Sequence, residues 1–155
     1  MPIPDFVVEL RKHVGTAELW MPAVTAVVRR GNQLLLVRRA DNGHWSPVTG
    51  ILDPGEEPAA AARREVLEET GVEVVVDRLA AITSGLRVTH VNGDLAVYLD
   101  HTFACTWVSG EARVGDDESL EVRWWPADGL PDMAAELLER IDAAMSAEER
   151  TRFRA

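Results

Sequence analysis

The chain has 155 residues, 46% of them hydrophobic, and a formal net charge of −10. That length suits one domain with a full core, while the negative charge argues against long nucleic acid, whose phosphates call for a basic face. The single cysteine, Cys105, excludes an internal disulfide and a cysteine-built zinc cluster. No apolar run nears the ~20 residues of a membrane helix, and the start lacks the basic-then-apolar pattern of a signal peptide, which together predict a cytoplasmic protein with no membrane partner.

In chain order, residues Asp5–His13 predict a short amphipathic helix ended by Gly15, part of an N-terminal extension over 1–20. Ala23–Arg29 and Gln33–Arg38 read as two strands joined at Gly31-Asn32. Asp41–Gly55, rich in glycine and proline, predicts a loop with a short strand near Ser46–Ile51. Pro58–Thr70 predicts a helix, with proline in its first turn and Gly71 where a left-handed C-terminal cap belongs. Val72–Ser84 and Asp94–Val108 predict strands, the second preceded by a turn at Asn92-Gly93. Glu121–Trp125 predicts a further strand and Asp132–Met145 a closing helix. Strands alternating with helices predict an α/β (α+β) sandwich with a mixed sheet between helices. The main domain is expected over 21–148, followed by a short tail over 149–155.

The predicted helix 58–70 carries the informative residues. Glu65, Glu68 and Glu69 stand at i, i+3 and i+4, which at ~3.6 residues per turn puts the three carboxylates on one face. Val66, Leu67 and Ala59 point away from it and are expected to meet the core. Like charges at i,i+4 repel by roughly 0.2–0.5 kcal/mol per pair. Glu68 and Glu69 also lie at the negative end of the helix dipole, which disfavours anions by roughly 0.3–1 kcal/mol each. Arg64 can pair with Glu68 but cannot neutralise four acids, counting Glu56. A solvated acidic face is one reading of this pattern. The other is a site for a hard divalent cation, since oxygen ligands of this kind suit Mg²⁺.

From Gly50 to Val72 the chain runs GILDPGEEPAAAARREVLEETGV. It resembles, without a gap, the Nudix box: Gly, five residues, Glu, seven residues, Arg-Glu-aliphatic-any-Glu-Glu-any-Gly-aliphatic. The preceding strands and His44-Trp45-Ser46-Pro47 are similar to the family as well, so the resemblance covers about Val24 to Leu138. It implies a Nudix-type sandwich and a Mg²⁺-dependent hydrolase, with Mn²⁺ as a substitute. The metal ligands it implies are Glu65, Glu68 and Glu69, with Glu56 through water or a further ion and backbone help from Gly50 and Thr49. Arg64 would orient a glutamate. Thr49 departs from the family, in which glycine is common at that place.

The implied chemistry is attack of water on phosphorus in a nucleoside diphosphate–X compound, with metal ions neutralising the diphosphate. The expected substrate is a small nucleotide: a nucleoside or deoxynucleoside triphosphate, or an ADP-ribose-like compound. Glu69 is the first candidate for the base, with Glu118 and Glu121 of the later acidic segment as alternatives. Arg38 and Arg39 are candidate phosphate contacts, and Trp45 and Tyr98 candidate stacking partners, each set against a structural reading as surface or core. The competing function is a Nudix-fold module that binds a nucleotide and regulates without hydrolysing it. A prenyl-diphosphate isomerase would need a reactive cysteine, whereas Cys105 lies in an apolar run. The N-terminal helix and an open sheet face leave room for a homodimer.

Overall fold

In the computed structural model, which describes residues 3–85 and 87–155, β1 (Leu19–Arg30) is the strand around which the rest assembles. Six consecutive residues, Ala23–Val28, are buried, the pattern of a strand covered on both faces. Along one side β1 pairs in parallel with β7 (Leu95–Ser109). Along the other it pairs antiparallel with β2 (Gln33–Arg39) at Arg29 and Arg30, and with β4 (Val48–Ile51) over Ala23–Ala26. β5 (Glu73–Ser84) lies antiparallel on the far side of β7. The short strands β3 (Trp45–Ser46) and β6 (Val88–Thr89) join β2 and β7, and β8 (Ser119–Pro126) pairs with β2. This is the mixed sheet expected, with β1–β7 its parallel pair. Met1 and Pro2, part of the predicted N-terminal extension, lie outside the described residues.

Alternation along β1 sorts the helices into layers. Val24, Ala26 and Val28 face α2 (Pro58–Thr70) and pack on Ala61, Ala62 and Val66. Val27, on the opposite face, shares a cluster with Ile141, Ala143 and Ala144 of α3 (Ala135–Met145). Met21, on that same face, packs on Val7 of α1 (Asp5–Val14) together with Ile51 and Ala96. The result is an α/β/α sandwich with α2 alone on one face and α1 and α3 side by side on the other. Among the described residues no helix is long and apolar enough to cross a membrane.

Predicted and observed elements agree closely where terminal chemistry is strong. α2 spans the predicted residues, with proline at its start and Gly71 at φ 69° donating its N–H to Leu67 O. β1 starts earlier than predicted, at Leu19, because Pro22 is tolerated where its missing N–H costs no ladder bond. α3 starts later, at Ala135, after a stretch containing Pro131. One packing expectation is corrected: Leu67 is about half exposed, whereas Val66 is buried. The buried side of α2 is Ala61, Ala62, Glu65, Val66, Glu69 and Thr70, so two glutamates share the core-facing surface and Leu67 is turned away from it.

The loop after β7 runs back along the end of α2. Arg113 donates its N–H to Thr70 O at 3.0 Å and Gly115 to Glu69 O at 2.8 Å, which satisfies helix carbonyls that have no intrahelical partner. A Cβ on Gly115 would stand 1.9 Å from Glu68 O and 2.9 Å from the Glu69 carbonyl carbon. Gly115→Ala therefore has to prise loop from helix, and is expected to cost about 1–3 kcal/mol in urea unfolding. An unchanged midpoint would show that this loop does not depend on the close approach.

Candidate active site

Gly50 sits on β4 opposite Val24 of β1. A Cβ at this position would lie 2.2 Å from Glu65 Cδ and 2.3 Å from Oε1. The Glu65 carboxylate is thus packed directly against a strand backbone, and only glycine leaves room for it. Glu65 is 3% and Glu69 5% exposed, unusual depths for glutamate. One turn of helix separates them, so both project to the same side.

Arg64 connects the remaining acids. Its Nε and Nη2 donate to the two Glu56 oxygens, each at 2.8 Å, in a bidentate pair. Nη1 donates to Glu65 Oε1 at 2.8 Å and to Glu68 Oε2 at 3.2 Å, and Nη2 also reaches Ile51 O at 3.3 Å. Asp53 N–H adds a bond to Glu56 Oε2 at 3.0 Å. One guanidinium therefore gathers Glu56, Glu65 and Glu68, drawn from the loop and from successive turns of the helix. Glu68 is the most exposed of the three.

Burial and charge set the proton affinities. The Arg64 fork holds Glu56 below the usual carboxylate range. Glu65 is pushed up to about 7, chiefly because burial disfavours its charge, with Arg64 opposing the shift. Glu69 is pushed up to about 8, first by burial and then by the charge of Glu65. Asp116 in the loop after β7 adds to the repulsion, and Arg39 offsets part of it. The pair of buried, mutually repelling carboxylates fits a hard cation, which would neutralise both through oxygen ligands. Among the described residues no three acidic, histidine or cysteine side chains converge as a ready-made metal cage. With Arg64 bound among the acids, a cation would need them to turn toward it.

The other predicted residues fall into three groups. Arg39 faces the site: it holds Asp41 through Nε at 2.9 Å and Nη2 at 2.7 Å, and its Nη1 donates to Thr49 Oγ1 at 3.3 Å. Glu118 stands on the same side, its carbonyl accepting from Ala40 N–H at 2.7 Å and its N–H bonding Asp116 Oδ1 at 3.0 Å. Tyr98 packs with the α1 cluster and its Oη lies 2.9 Å from His90 Nε2. The structure does not bring Arg38 and Trp45 to the carboxylates. Arg38 donates to Gly43 O on the exposed side of the hairpin, and Trp45 sits edge-on to Trp125, 5.2 Å between centroids, in the cluster under α3. Glu121 pairs with Arg38 across β2–β8 and is also remote. Cys105 is buried, its thiol pushed up to about 12 by desolvation and then by Asp77. Sequence reasoning missed Asp116 and Asp100. Strand alternation was the available signal for Asp100, which shares the inward face of β7 with Ala96, Thr102 and Ala104.

Residues 19–146 match the family model described as the NUDIX domain. The chain belongs to the Nudix family. A MutT-like protein of Streptomyces ambofaciens is 37% identical over 123 residues, covering 76% of this chain and 74% of that protein. The NAD-capped RNA hydrolase NudC of Pseudomonas aeruginosa is 33% identical over 117 residues, covering 74% of this chain and 39% of the relative. This chain thus matches about two fifths of that longer protein. A UDP-X diphosphatase structure shares the fold at a TM-score of 0.68 and 20% identity, over 95% of this chain and 73% of that one. As a Nudix hydrolase the chain is a pyrophosphohydrolase, of a family that acts on nucleoside diphosphate-linked compounds.

The raised affinities of Glu65 and Glu69 fix a sign for stability. Both carboxyls keep a proton in the folded, metal-free protein to about 7 and about 8, above their ordinary value of 4.5. Between 4.5 and about 8 the folded state binds more protons than the unfolded one, so stability falls as pH rises through this window. A divalent cation held by these carboxylates would bind their deprotonated form and oppose the loss. The metal-free Nudix domain is expected to melt lower at about pH 8.5 than at about pH 5.5, and Mg²⁺ to raise the melting temperature more at the higher pH. A metal-free melting temperature that climbs between those conditions would contradict the burial of these acids.

Proposed function

We propose that the chain is a Mg²⁺-dependent hydrolase of a nucleoside diphosphate–X substrate, either a nucleoside or deoxynucleoside triphosphate or an ADP-ribose-like nucleotide, with 21–148 as its catalytic domain. The observation that carries this reading is the buried Glu65–Glu69 pair beside Gly50, together with Arg64 joined to Glu56, Glu65 and Glu68. Glu65, Glu68 and Glu69 would hold the metal, with Glu56 near by and the Thr49–Gly50 backbone alongside. Mn²⁺ would fit the same oxygen donors. When bound, the ion supplies neutralisation of the diphosphate and acidification of water.

The residues of the chain do the rest. Arg64 fixes the direction of Glu65, because its planar fork cannot leave Glu56 without breaking two bonds. Arg39, held by Asp41 and Thr49, stands at the rim on the side of Glu69, where a phosphate contact suits a guanidinium. Water attacks one phosphorus, the phosphoanhydride bond breaks, and the bridging oxygen leaves with its electron pair. The proton released by water passes to a carboxylate. Glu69, buried one turn from Glu65, is the first candidate for that base, and Glu118 is the loop alternative. A ligand the size of one nucleotide accords with the net charge of −10, which discourages binding to a long phosphate backbone.

A panel of ribo- and deoxynucleoside triphosphates, ADP-ribose, dinucleoside polyphosphates and nucleotide sugars, followed by chromatography with and without Mg²⁺, tests the reading. One compound should be hydrolysed far faster than the rest and only with metal, and Glu69→Gln should lower that rate by roughly 10²-fold or more. Full activity in Glu69→Gln would overturn the assignment of the site. Tight binding of one nucleotide with no hydrolysis of any would instead identify a non-catalytic regulatory module.

A further inference from the structure

On the sheet face under α1 and α3 one carboxylate is buried. There Asp100 of β7, 2% exposed, accepts hydrogen bonds from Thr25 Oγ1 and Thr102 Oγ1, both at 2.7 Å. Arg140 of α3 completes the group: its Nη1 lies 3.4 Å from Asp100 Oδ1 and donates to Thr25 Oγ1 at 3.1 Å. Apolar side chains would hold α3 to the sheet without desolvating two charges, a replacement that is often neutral or stabilising. What an ion pair adds is a guanidinium held in one orientation.

Two features suit that guanidinium to a ligand. Its Nη1 is engaged, Nε and Nη2 have no hydrogen-bond or ion-pair partner among the described residues, and the side chain is 13% exposed. The group also adjoins the active site. Thr25 is the direct cross-strand partner of Thr49, so their Cα atoms stand roughly 5 Å apart. Thr49 in turn receives Arg39 and precedes Gly50, on which Glu65 packs. A polar row, Arg39–Thr49–Thr25–Arg140, therefore runs from the rim of the site across the sheet face opposite α2.

We infer that Arg140, oriented by Asp100, Thr25 and Thr102, reads the acceptor edge of a guanine ring in the substrate. The inference rests on the nucleoside diphosphate–X reading of the site and chooses within it. The Nε/Nη2 edge of a guanidinium presents two parallel N–H donors, and guanine O6 and N7 are two acceptors side by side, whereas adenine sets an amino donor beside its N7. A phosphate also offers paired acceptors, but Asp100 already neutralises Arg140, which favours an uncharged acceptor edge over a further anion.

Titration calorimetry of the whole protein with GDP, ADP, CDP and 7-deaza-GDP, in Mg²⁺, tests this. GDP is expected to bind ~5- to 150-fold more tightly than ADP and 7-deaza-GDP, the worth of one bidentate base contact. Arg140→Lys, which keeps the charge and loses the fork, should abolish that preference. Equal binding of GDP and 7-deaza-GDP, tighter binding of ADP or CDP, or an undiminished preference in Arg140→Lys would overturn it. If that variant does not fold, the 7-deaza comparison on the unaltered protein decides alone. A guanine preference with no hydrolysis of any compound would sink the hydrolase reading and leave this one standing. Hydrolysis with no preference among bases would do the reverse.

Discussion

Where the Glu65 carboxylate meets the backbone of Gly50, a charged group is pressed against a strand with no room for a side chain between them. Most of the local arrangement follows from this contact. It draws α2 onto β4 and so buries Glu65, and the next turn brings Glu69 to nearly the same depth. Burial leaves Glu65 short of solvation, and Arg64 supplies part of what is missing while tying in Glu56 and Glu68. The loop after β7 then closes over the carbonyl end of the helix through Gly115 and Arg113, which brings Asp116 into the field of Glu69. Each step adds negative charge to a place with little water. A cation is the natural complement.

Such an arrangement costs stability in the metal-free protein, and the rest of the fold offsets the cost. β1 lies between β7 and β4 and is buried on both faces from Ala23 to Val28. α2 meets it through Ala61, Ala62 and Val66, small and β-branched residues that allow close packing. The strained pair therefore sits on rigid elements and not on a mobile loop, the support that a positioned site needs. The helices on the other face make a different contribution: α1 and α3 cover the sheet at separate places, and a polar row runs from Arg39 at the rim of the site to Arg140.

Legibility in the sequence followed the range of each interaction. α2 was readable to the residue, because Pro58 and Gly71 act locally, and so were the box glutamates, whose spacing is a matter of helix geometry. Side-chain destinations that depend on tertiary packing were less accessible. Leu67 looked like core by its chemistry, yet the core side of α2 is given to alanines, Val66 and two glutamates. Trp45 looked like a stacking candidate beside the box, but pairing of β3 with β2 carries it to Trp125. Arg38 and Arg39 are neighbours in sequence, and strand alternation sends only Arg39 toward the site. Asp100 of β7 and Arg140 of α3 have β8 and two loops between them in the chain, and no local pattern announces that they meet.

The central claim is that Glu65 and Glu69 are held in mutual repulsion which a divalent cation relieves. Urea unfolding of Glu65→Gln and the unaltered protein at about pH 8, each with and without Mg²⁺, addresses it directly, since loss of one buried charge should act oppositely in the two conditions. The account predicts that without metal the variant is the more stable of the two, and that Mg²⁺ stabilises it far less than it stabilises the unaltered protein. A variant that is less stable without metal and equally stabilised by Mg²⁺ would contradict the claim, and would place the cation somewhere other than these carboxylates.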